Sequence, residues 1–424
     1  MTTIFALSSG AAPAGIGVIR VSGPRAREAV SALAGTLPPD RTARVRALRD
    51  RAGALLDRAL VLVFPGPATA TGENLVELHC HGGRAVIAAV LTALGEQPGL
   101  RPAVAGEFTR RALANGRIDL AEAGGLADLL SADTERQRIA ALAAAEGIVS
   151  QRVRGWLDRL AMLSAMTEAQ LDFADEDDVT DDAAALAAIV AGKQALVDEL
   201  SAVLSAPPVE RLRDGVQVVL AGPPNSGKSM LINLLSQRDV AIVSSIAGTT
   251  RDRIEATVVR DGLIYVLTDT AGLTESDDPI ERIGVTRAAQ AIDRADILLW
   301  LGDDAPPTPD ALWIYSRADA PGRGPPTGQT LAVAQSDRSS IEALWGMLAS
   351  RADGLMPRTD ALAFRESERA ACRTALAVLD EPVDDPLMLA EQLRVARRAL
   401  ATILGVDATE TMLDALFGRF CIGK

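Results

Sequence analysis

Short, mostly apolar runs separated by punctuating residues mark the beginning of the chain. Gly17 to Val21, Ala59 to Phe64 and Leu75 to Leu78 are β-rich segments between Gly and Pro punctuation, with a helical stretch near Arg84 to Leu94. Residues 1 to about 118 thus predict an α+β domain. From Asp119 to about Leu204 the period lengthens: Trp156, Leu160, Leu163 and Thr167 recur at helical spacing and share one face. A second apolar stripe, Leu389, Leu393, Ala396, Leu400 and Ile403, predicts a late helix packed against the earlier ones. Between these helical stretches, from Pro207 and Pro208 to about Pro357, strands alternate with helices in the manner of an α/β sheet. A helical domain interrupted by an inserted α/β domain explains this order, with the division 1–118, 119–210, 211–357 and 358–424.

Composition narrows the class. The 424 residues exceed one ordinary core, and 48% apolar with 23% charged residues is a globular balance. Aromatic residues make up only 3%, so the cores must be aliphatic and Ala-rich, which favours helices. With 43 basic and 56 acidic residues the net charge is -13, which argues against a protein that coats nucleic acid through a basic surface, while local basic sites stay open. Cys80, Cys372 and Cys421 are scattered and odd in number, the pattern of a reducing compartment. No signal peptide is evident at the amino terminus, and no apolar run approaches the roughly 20 residues that span a bilayer. The expectation is a cytoplasmic protein with no membrane partner. An acidic cluster, Asp172, Asp175, Glu176, Asp177, Asp178, Asp181 and Asp182, interrupts the helical region; a solvated loop or helix start accounts for it more simply than a bound cation does.

The sharpest local signal is Gly222-Pro-Pro-Asn-Ser-Gly227-Lys228-Ser229, a G-x-x-x-x-G-K-[ST] phosphate loop after the apolar run Val216 to Leu220 and before a plausible helix from Met230. Glycines let backbone N–H groups point inward, and the helix that follows adds its positive end, so polyphosphate meets fixed donors. Lys228 should reach the β- and γ-phosphates, and the Ser229 hydroxyl should ligate Mg²⁺. Asp269-Thr270-Ala271-Gly272 follows the apolar run Leu263 to Leu267, where a strand-end aspartate can hold the Mg²⁺ shell and the Gly272 N–H can meet the γ-phosphate. Between them lies Ser244-Ser245-Ile246-Ala247-Gly248-Thr249-Thr250, and then two β-rich segments joined by Asp261-Gly262, a good hairpin turn. A threonine-bearing loop followed by a hairpin is the switch layout of a GTPase.

With these residues in place the chain resembles the tRNA-modification GTPase family called MnmE or TrmE. The likeness extends to Gly15–Gly23, Gly72–Gly83, Ala105–Leu120, the Leu171-Asp-Phe-Ala-Asp-Glu stretch and the Phe420-Cys421-Ile-Gly-Lys424 ending, in order along essentially the whole chain. It implies an amino-terminal folate-binding domain that also dimerises, a helical domain, and an inserted Ras-like G domain. It further implies a potassium-dependent GTPase working with an FAD-dependent flavoprotein (MnmG or GidA-like, using FAD and NADH) to place a carboxymethylaminomethyl or aminomethyl group on C5 of the tRNA wobble uridine.

Residue by residue, the resemblance puts Asn225, Ser226, Gly227, Lys228, Ser229, Met230, Ser244, Ser245, Ile246, Ala247, Gly248, Thr249, Thr250, Asp269, Thr270, Ala271, Gly272, Ser316 and Asp319 at GTP. Asn225, Ser244, Ile246 and Thr249 would hold K⁺, and Ser229 and Thr250 would hold Mg²⁺. A cation among the phosphates offsets charge developing in the transition state, as an arginine would. Glu281, alongside Lys228 and Asp269 in the catalytic set, would orient the attacking water. Without the family, Glu281 is a first-turn helix carboxylate and Asn225 a turn former. Arg20, Glu77, Arg117 and Lys424 would bind a 5,10-methylene- or 5-formyl-tetrahydrofolate derivative, and Cys421 matches the family's terminal thiol, for which a structural role and a catalytic one are both open. Arg117 stands where a lysine is common, which keeps the charge but changes donor geometry.

Guanine selectivity normally rests on Asn-Lys-x-Asp. Here Ser316-Arg317-Ala318-Asp319 keeps only the aspartate, and a second base-contacting loop near Ala334-Gln335-Ser336 has no clear pattern. The competing expectation is therefore a nucleotide-responsive scaffold with weak or lost turnover; a ribosome-associated GTPase fits the amino-terminal domain and Cys421 less well. His79, Cys80 and His81 tempt a metal reading, but neighbours on a strand point to opposite faces and no fourth ligand is evident.

Overall fold

The computed structural model describes residues 2–173, 182–236, 255–270, 290–322, 328–358, 362–383 and 385–423. The chain forms two compact units, one of Met1–Ser131, Ala141–Gly192 and Glu381–Lys424, the other of Ala132–Ala140 and Lys193–Asp380.

The first unit begins with a six-stranded sheet. Its strands are β1 (Thr3–Leu7), β2 (Ile16–Ser22), β3 (Arg44–Arg49), β4 (Leu55–Phe64), β5 (Leu75–His81) and β6 (Leu100–Pro102), in the order β3-β4-β5-β2-β1-β6. Only β1 and β6 run parallel; the other pairs are antiparallel. A two-residue period sends Ile19, Val21, Val61, Val63, Val76, Leu78 and Cys80 into one core with α1 (Ala26–Ala34) and α2 (Arg84–Gly95). The same period turns Arg20, Glu77 and His79 to the other face, where Arg20 lies directly across from Glu77.

Next comes α3 (Glu107–Ala114), fastened at its start by Glu107, which accepts from Arg101 Nη2 at 2.6 Å, Arg111 Nη2 at 3.1 Å and the Val104 N–H at 3.0 Å. Burial alone would raise the Glu107 carboxyl, but these donors outweigh it and hold it below the ordinary range. Asp119 and Glu122 form a reciprocal capping box at α4 (Leu120–Leu130), and Asp119 also accepts from Ser150 at 2.8 Å and Arg154 at 2.7 Å.

After α5 (Glu135–Ala145), α6 (Ile148–Phe173) packs along the helix Pro386–Ala401. Trp156, Leu160 and Thr167 are fully buried on α6, as are Leu393, Ala396 and Leu400 on its partner, so the two stripes predicted from sequence face a common core. The acidic cluster from Asp172 to Asp182 falls where side chains are not described. At the carboxyl end, Phe417 and Phe420 pack on Ala123 and Ala127, and Ile422 forms an antiparallel bridge with Ala105. Gly423 sits at φ 100, and a β-carbon there would lie 2.2 Å from the Leu7 carbonyl oxygen, so that position requires glycine.

The second unit holds the α/β sheet: β7 (Val216–Ala221), β8 (Glu255–Arg260), β9 (Leu263–Asp269), β10 (Ile297–Trp300), β11 (Leu312–Tyr315) and β12 (Leu331–Ala332), in the order β12-β11-β10-β7-β9-β8. Every pairing is parallel except β8 with β9. Those two strands are joined by Asp261 at φ 51 and Gly262 at φ 76, both positive as a tight type I′ hairpin demands. Central β7 is apolar throughout its middle because both faces are covered: Val218 and Leu220 enter one core, Val219 and Ala221 another. In the same unit, Arg369 closes the carboxyl end of α7 (Asp182–Ser205) by donating to the carbonyls of Val203 at 2.9 Å, Leu204 at 2.8 Å and Ala206 at 2.5 Å, and the short α8 (Glu210–Asp214) follows before β7. Among the described residues no helix is long and apolar enough to cross a membrane.

Candidate functional site

The chain leaves β7 at Ala221 and re-enters regular structure as α9 (Lys228–Ser236), so Gly222–Gly227 crosses the carboxyl end of the sheet. β9 and β10 flank β7 on opposite sides. Such a point, where connections diverge to either side, opens the crevice in which doubly wound sheets bind ligands. Gly222 (φ 148) and Gly227 (φ 97) supply the positive dihedrals of the curl, and Asn225 shares that handedness at φ 60. A β-carbon on Gly222 would approach the Leu301 backbone to 3.1 Å.

Lys228 is buried, and its ammonium donates to the carbonyls of Gly222 at 2.8 Å and Pro223 at 2.9 Å. The cation therefore lies within the curl. Ser229 Oγ donates to Asp269 Oδ2 at 2.5 Å, joining the first turn of α9 to the end of β9. Thr270 secures the next step by donating from its hydroxyl to the Leu220 carbonyl at 2.9 Å. A hydroxyl and a carboxylate meeting beside a lysine form the oxygen set that a small hard cation accepts, so the residues present fit Mg²⁺. Ser226 Oγ is buried and has no hydrogen-bond partner among the described residues, a polar atom left for something to satisfy.

The loop after β11 meets the same curl. Ser316 Oγ donates to the Ser226 carbonyl at 2.5 Å, and Arg317 Nη1 donates to the Asn225 carbonyl at 3.0 Å. Asp319 Oδ2 accepts from the Ser336 hydroxyl at 2.7 Å and its N–H at 3.0 Å, which hold the Asp319 carboxyl below its ordinary value. The segment around Ser336 thus reaches Asp319 even though its sequence lacks the usual second-loop pattern. A single hydroxyl in a polar stretch carries no signal that would single it out beforehand.

On the face of the first unit's sheet opposite α1 and α2, part-buried Arg20 donates to Glu77 Oε1 from Nη2 at 2.9 Å and from Nε at 3.2 Å. The Arg20 guanidinium lies 5.8 Å from the Phe108 ring centre. His79 Nε2 is 3.3 Å from Glu77 Oε2, so both carboxylate oxygens are engaged. Arg117 is exposed and lines a cleft of about 670 Å³ with Asp119, Arg154 and Glu410. Cys421 is exposed, and its carbonyl accepts weakly from the Gly106 N–H at 3.5 Å. By contrast, burial pushes the Cys80 thiol up to about 12, with the Asp57 carboxylate adding to the effect, and burial likewise pushes Cys372 up to about 12.

Known proteins resemble this chain along its whole length. The family described as the GTP-binding protein TrmE N-terminus matches residues 3–117, and the MnmE helical domain family matches residues 120–421. A tRNA modification GTPase MnmE from Erythrobacter litoralis is 54% identical over 428 residues, covering 100% of both chains. The tRNA modification GTPase MnmE from Rhizorhabdus wittichii is 52% identical over 429 residues, 100% of this chain and 96% of its own. The chain belongs to the MnmE family. A solved structure of the cytosolic domain of the T. maritima FeoB iron transporter in a GDP form covers 48% of this chain and 94% of its own at 14% identity, but its TM-score of 0.23 is too low to carry an argument.

Of the residues expected at the nucleotide, the structure brings Asn225, Ser226, Gly227, Lys228, Ser229, Asp269, Thr270, Ser316 and Asp319 to one end of one sheet, with Met230 on the first turn of α9. It also joins Arg20 to Glu77. The expected positions Ser244, Ser245, Ile246, Ala247, Gly248, Thr249, Thr250, Ala271, Gly272, Glu281 and Lys424 lie outside the described residues.

Proposed function

We propose that this chain is a potassium-dependent GTP hydrolase acting in tRNA modification, with Lys228, Ser229 and Asp269 at its phosphate and Mg²⁺ site. The observation that carries the reading is the Ser229–Asp269 contact at 2.5 Å beside a lysine already folded into the loop. When GTP enters, the Lys228 ammonium exchanges two loop carbonyls for phosphate oxygens, and the loop N–H groups and the start of α9 meet the remaining charge. Ser229 and Thr250 are the direct protein ligands we assign to Mg²⁺, with Asp269 hydrogen-bonded to Ser229. Asn225, together with Ser244, Ile246 and Thr249, would hold K⁺, which when bound supplies positive charge where the leaving phosphate gains negative charge. Glu281 is assigned to orient water.

The wider assignment follows the family. Residues 1–118 form a domain for folate and dimerisation, 119–210 with 358–424 form the helical domain, and 211–357 form the G domain. Arg20, Glu77, Arg117 and Lys424 are assigned to a tetrahydrofolate derivative. The Arg20–Glu77 pair suits an amino-heterocycle, since a carboxylate accepts from its amino donors. A homodimer, a flavoprotein partner carrying FAD, tRNA as substrate and a cytoplasmic location complete the proposal. The net charge of -13 favours a partner that provides most of the RNA-binding surface.

Two measurements test this reading. GTP hydrolysis should be at least about tenfold faster in potassium than in sodium buffer, and Glu281→Ala should abolish that stimulation. Equal rates in the two salts would remove the potassium assignment, and no turnover in either would leave the nucleotide-responsive scaffold. Guanine affinity should be weaker than an intact Asn-Lys-x-Asp site gives, yet GTP should compete with a bound fluorescent GDP analogue at least about tenfold better than ATP, because Asp319 is retained. Equal competition by the two nucleotides would rule out guanine recognition through Asp319.

A further inference from the structure

The departure from Asn-Lys-x-Asp has a structural counterpart on the phosphate loop. Two consecutive carbonyls of that loop, Asn225 and Ser226, are held by two consecutive side chains of the base loop, Arg317 and Ser316. The Arg317 stem runs over the curl: a β-carbon on Gly227 would lie 3.2 Å from Arg317 Cγ and 3.3 Å from Cδ. Both ends of this contact have left-handed backbone, Asn225 at φ 60 and Arg317 at φ 55, a region that asparagine tolerates but that is uncommon for arginine. Asn225 is also the described member of the proposed potassium set. Its backbone determines where the side-chain oxygen can go, and the one side chain seen to hold the Asn225 carbonyl belongs to the base loop.

We infer that Arg317 is a positioning residue that couples the base loop to the monovalent-cation requirement: by holding the Asn225 carbonyl it fixes the backbone from which Asn225 offers its oxygen to potassium. The inference rests on the potassium-dependent GTPase reading above. Arginine suits this task better than the lysine of the usual motif. Its planar fork can keep one N–H on the carbonyl while the others and the flat face stay available to a base, whereas an ammonium is a single point of attachment. Ser316 complements it by tying the next carbonyl, so the loop is held at two adjacent peptide groups. Base-loop substitutions should therefore alter the response to cation as well as the affinity for guanine.

The test is a potassium titration of GTP hydrolysis at saturating GTP, paired with fluorescent GDP-analogue binding in sodium buffer. Wild type, Arg317→Ala and Arg317→Lys are compared, each checked for an unchanged thermal transition. Arg317→Ala should raise the potassium concentration for half-maximal stimulation by about fivefold or more, the scale of one partly exposed hydrogen bond from a charged donor, while Arg317→Lys restores part of that shift. A merely base-flanking role would weaken nucleotide binding and leave the potassium midpoint within about twofold of wild type, which would overturn the inference. A wild type indifferent to potassium would remove the inference and the reading beneath it together. A stimulated wild type with an unshifted variant would remove the inference alone.

Discussion

Replacing Lys228 with Ala is expected to lower GTP turnover by at least about a hundredfold, the scale on which removing one preorganised group from a charge-stabilising site acts. Its buried ammonium is held against the carbonyls of Gly222 and Pro223. Those two oxygens occupy it until a better acceptor arrives, and a triphosphate is a better acceptor. The variant loses the positive charge but keeps α9 and the loop N–H groups, so GDP-analogue binding should fall less steeply than turnover. Steady-state hydrolysis and analogue binding measured on the same preparation would separate the two effects. Retention of most of the wild-type rate would take the phosphate loop out of the chemistry.

The largest expected effect on stability lies at the carboxyl end of α7. Arg369 is buried, and its guanidinium satisfies three carbonyls in the last turn and exit of α7. Arg369→Met keeps much of the packing volume and removes every donor. Three acceptors then lose their partner, at about 1 kcal/mol or more apiece where water cannot reach them, and the positive charge at the negative end of the helix is lost as well. A loss of about 3 kcal/mol is expected, read as a lower urea midpoint for the second unit, with Arg369→Lys recovering only part because one ammonium cannot span three carbonyls. A change below about 1 kcal/mol would mean that solvent replaces the guanidinium without difficulty.

The elements visible in the sequence were those whose period is imposed by burial. The α6 stripe through Trp156 and Leu160 and the late stripe through Leu393 and Leu400 are buried because a helix can hide one face only when those positions recur every three or four residues. The phosphate curl was equally legible, since Gly222 and Gly227 occupy dihedrals that other residues rarely adopt. The loop after β11 was less legible. Ser316 and Arg317 depart from the familiar letters, and only their contacts with the Ser226 and Asn225 carbonyls reveal that backbone oxygens accept from a hydroxyl and a guanidinium as well as from an amide and an ammonium. The Arg20–Glu77 pair was reached through resemblance alone, because an arginine and a glutamate far apart in sequence carry no pattern until strand register sets them opposite one another.

The carboxyl-terminal stitch constrains how assemblies can be built. Ile422 is bridged to Ala105, and Gly423 is wedged against Leu7 of the same molecule, so the Cys421 sulfur travels with its own amino-terminal sheet. In any assembly of copies, each chain would bring that thiol with its own sheet. A hybrid of one chain damaged in its tail and another damaged in its sheet would not see the first repaired by the second unless the stitch came undone.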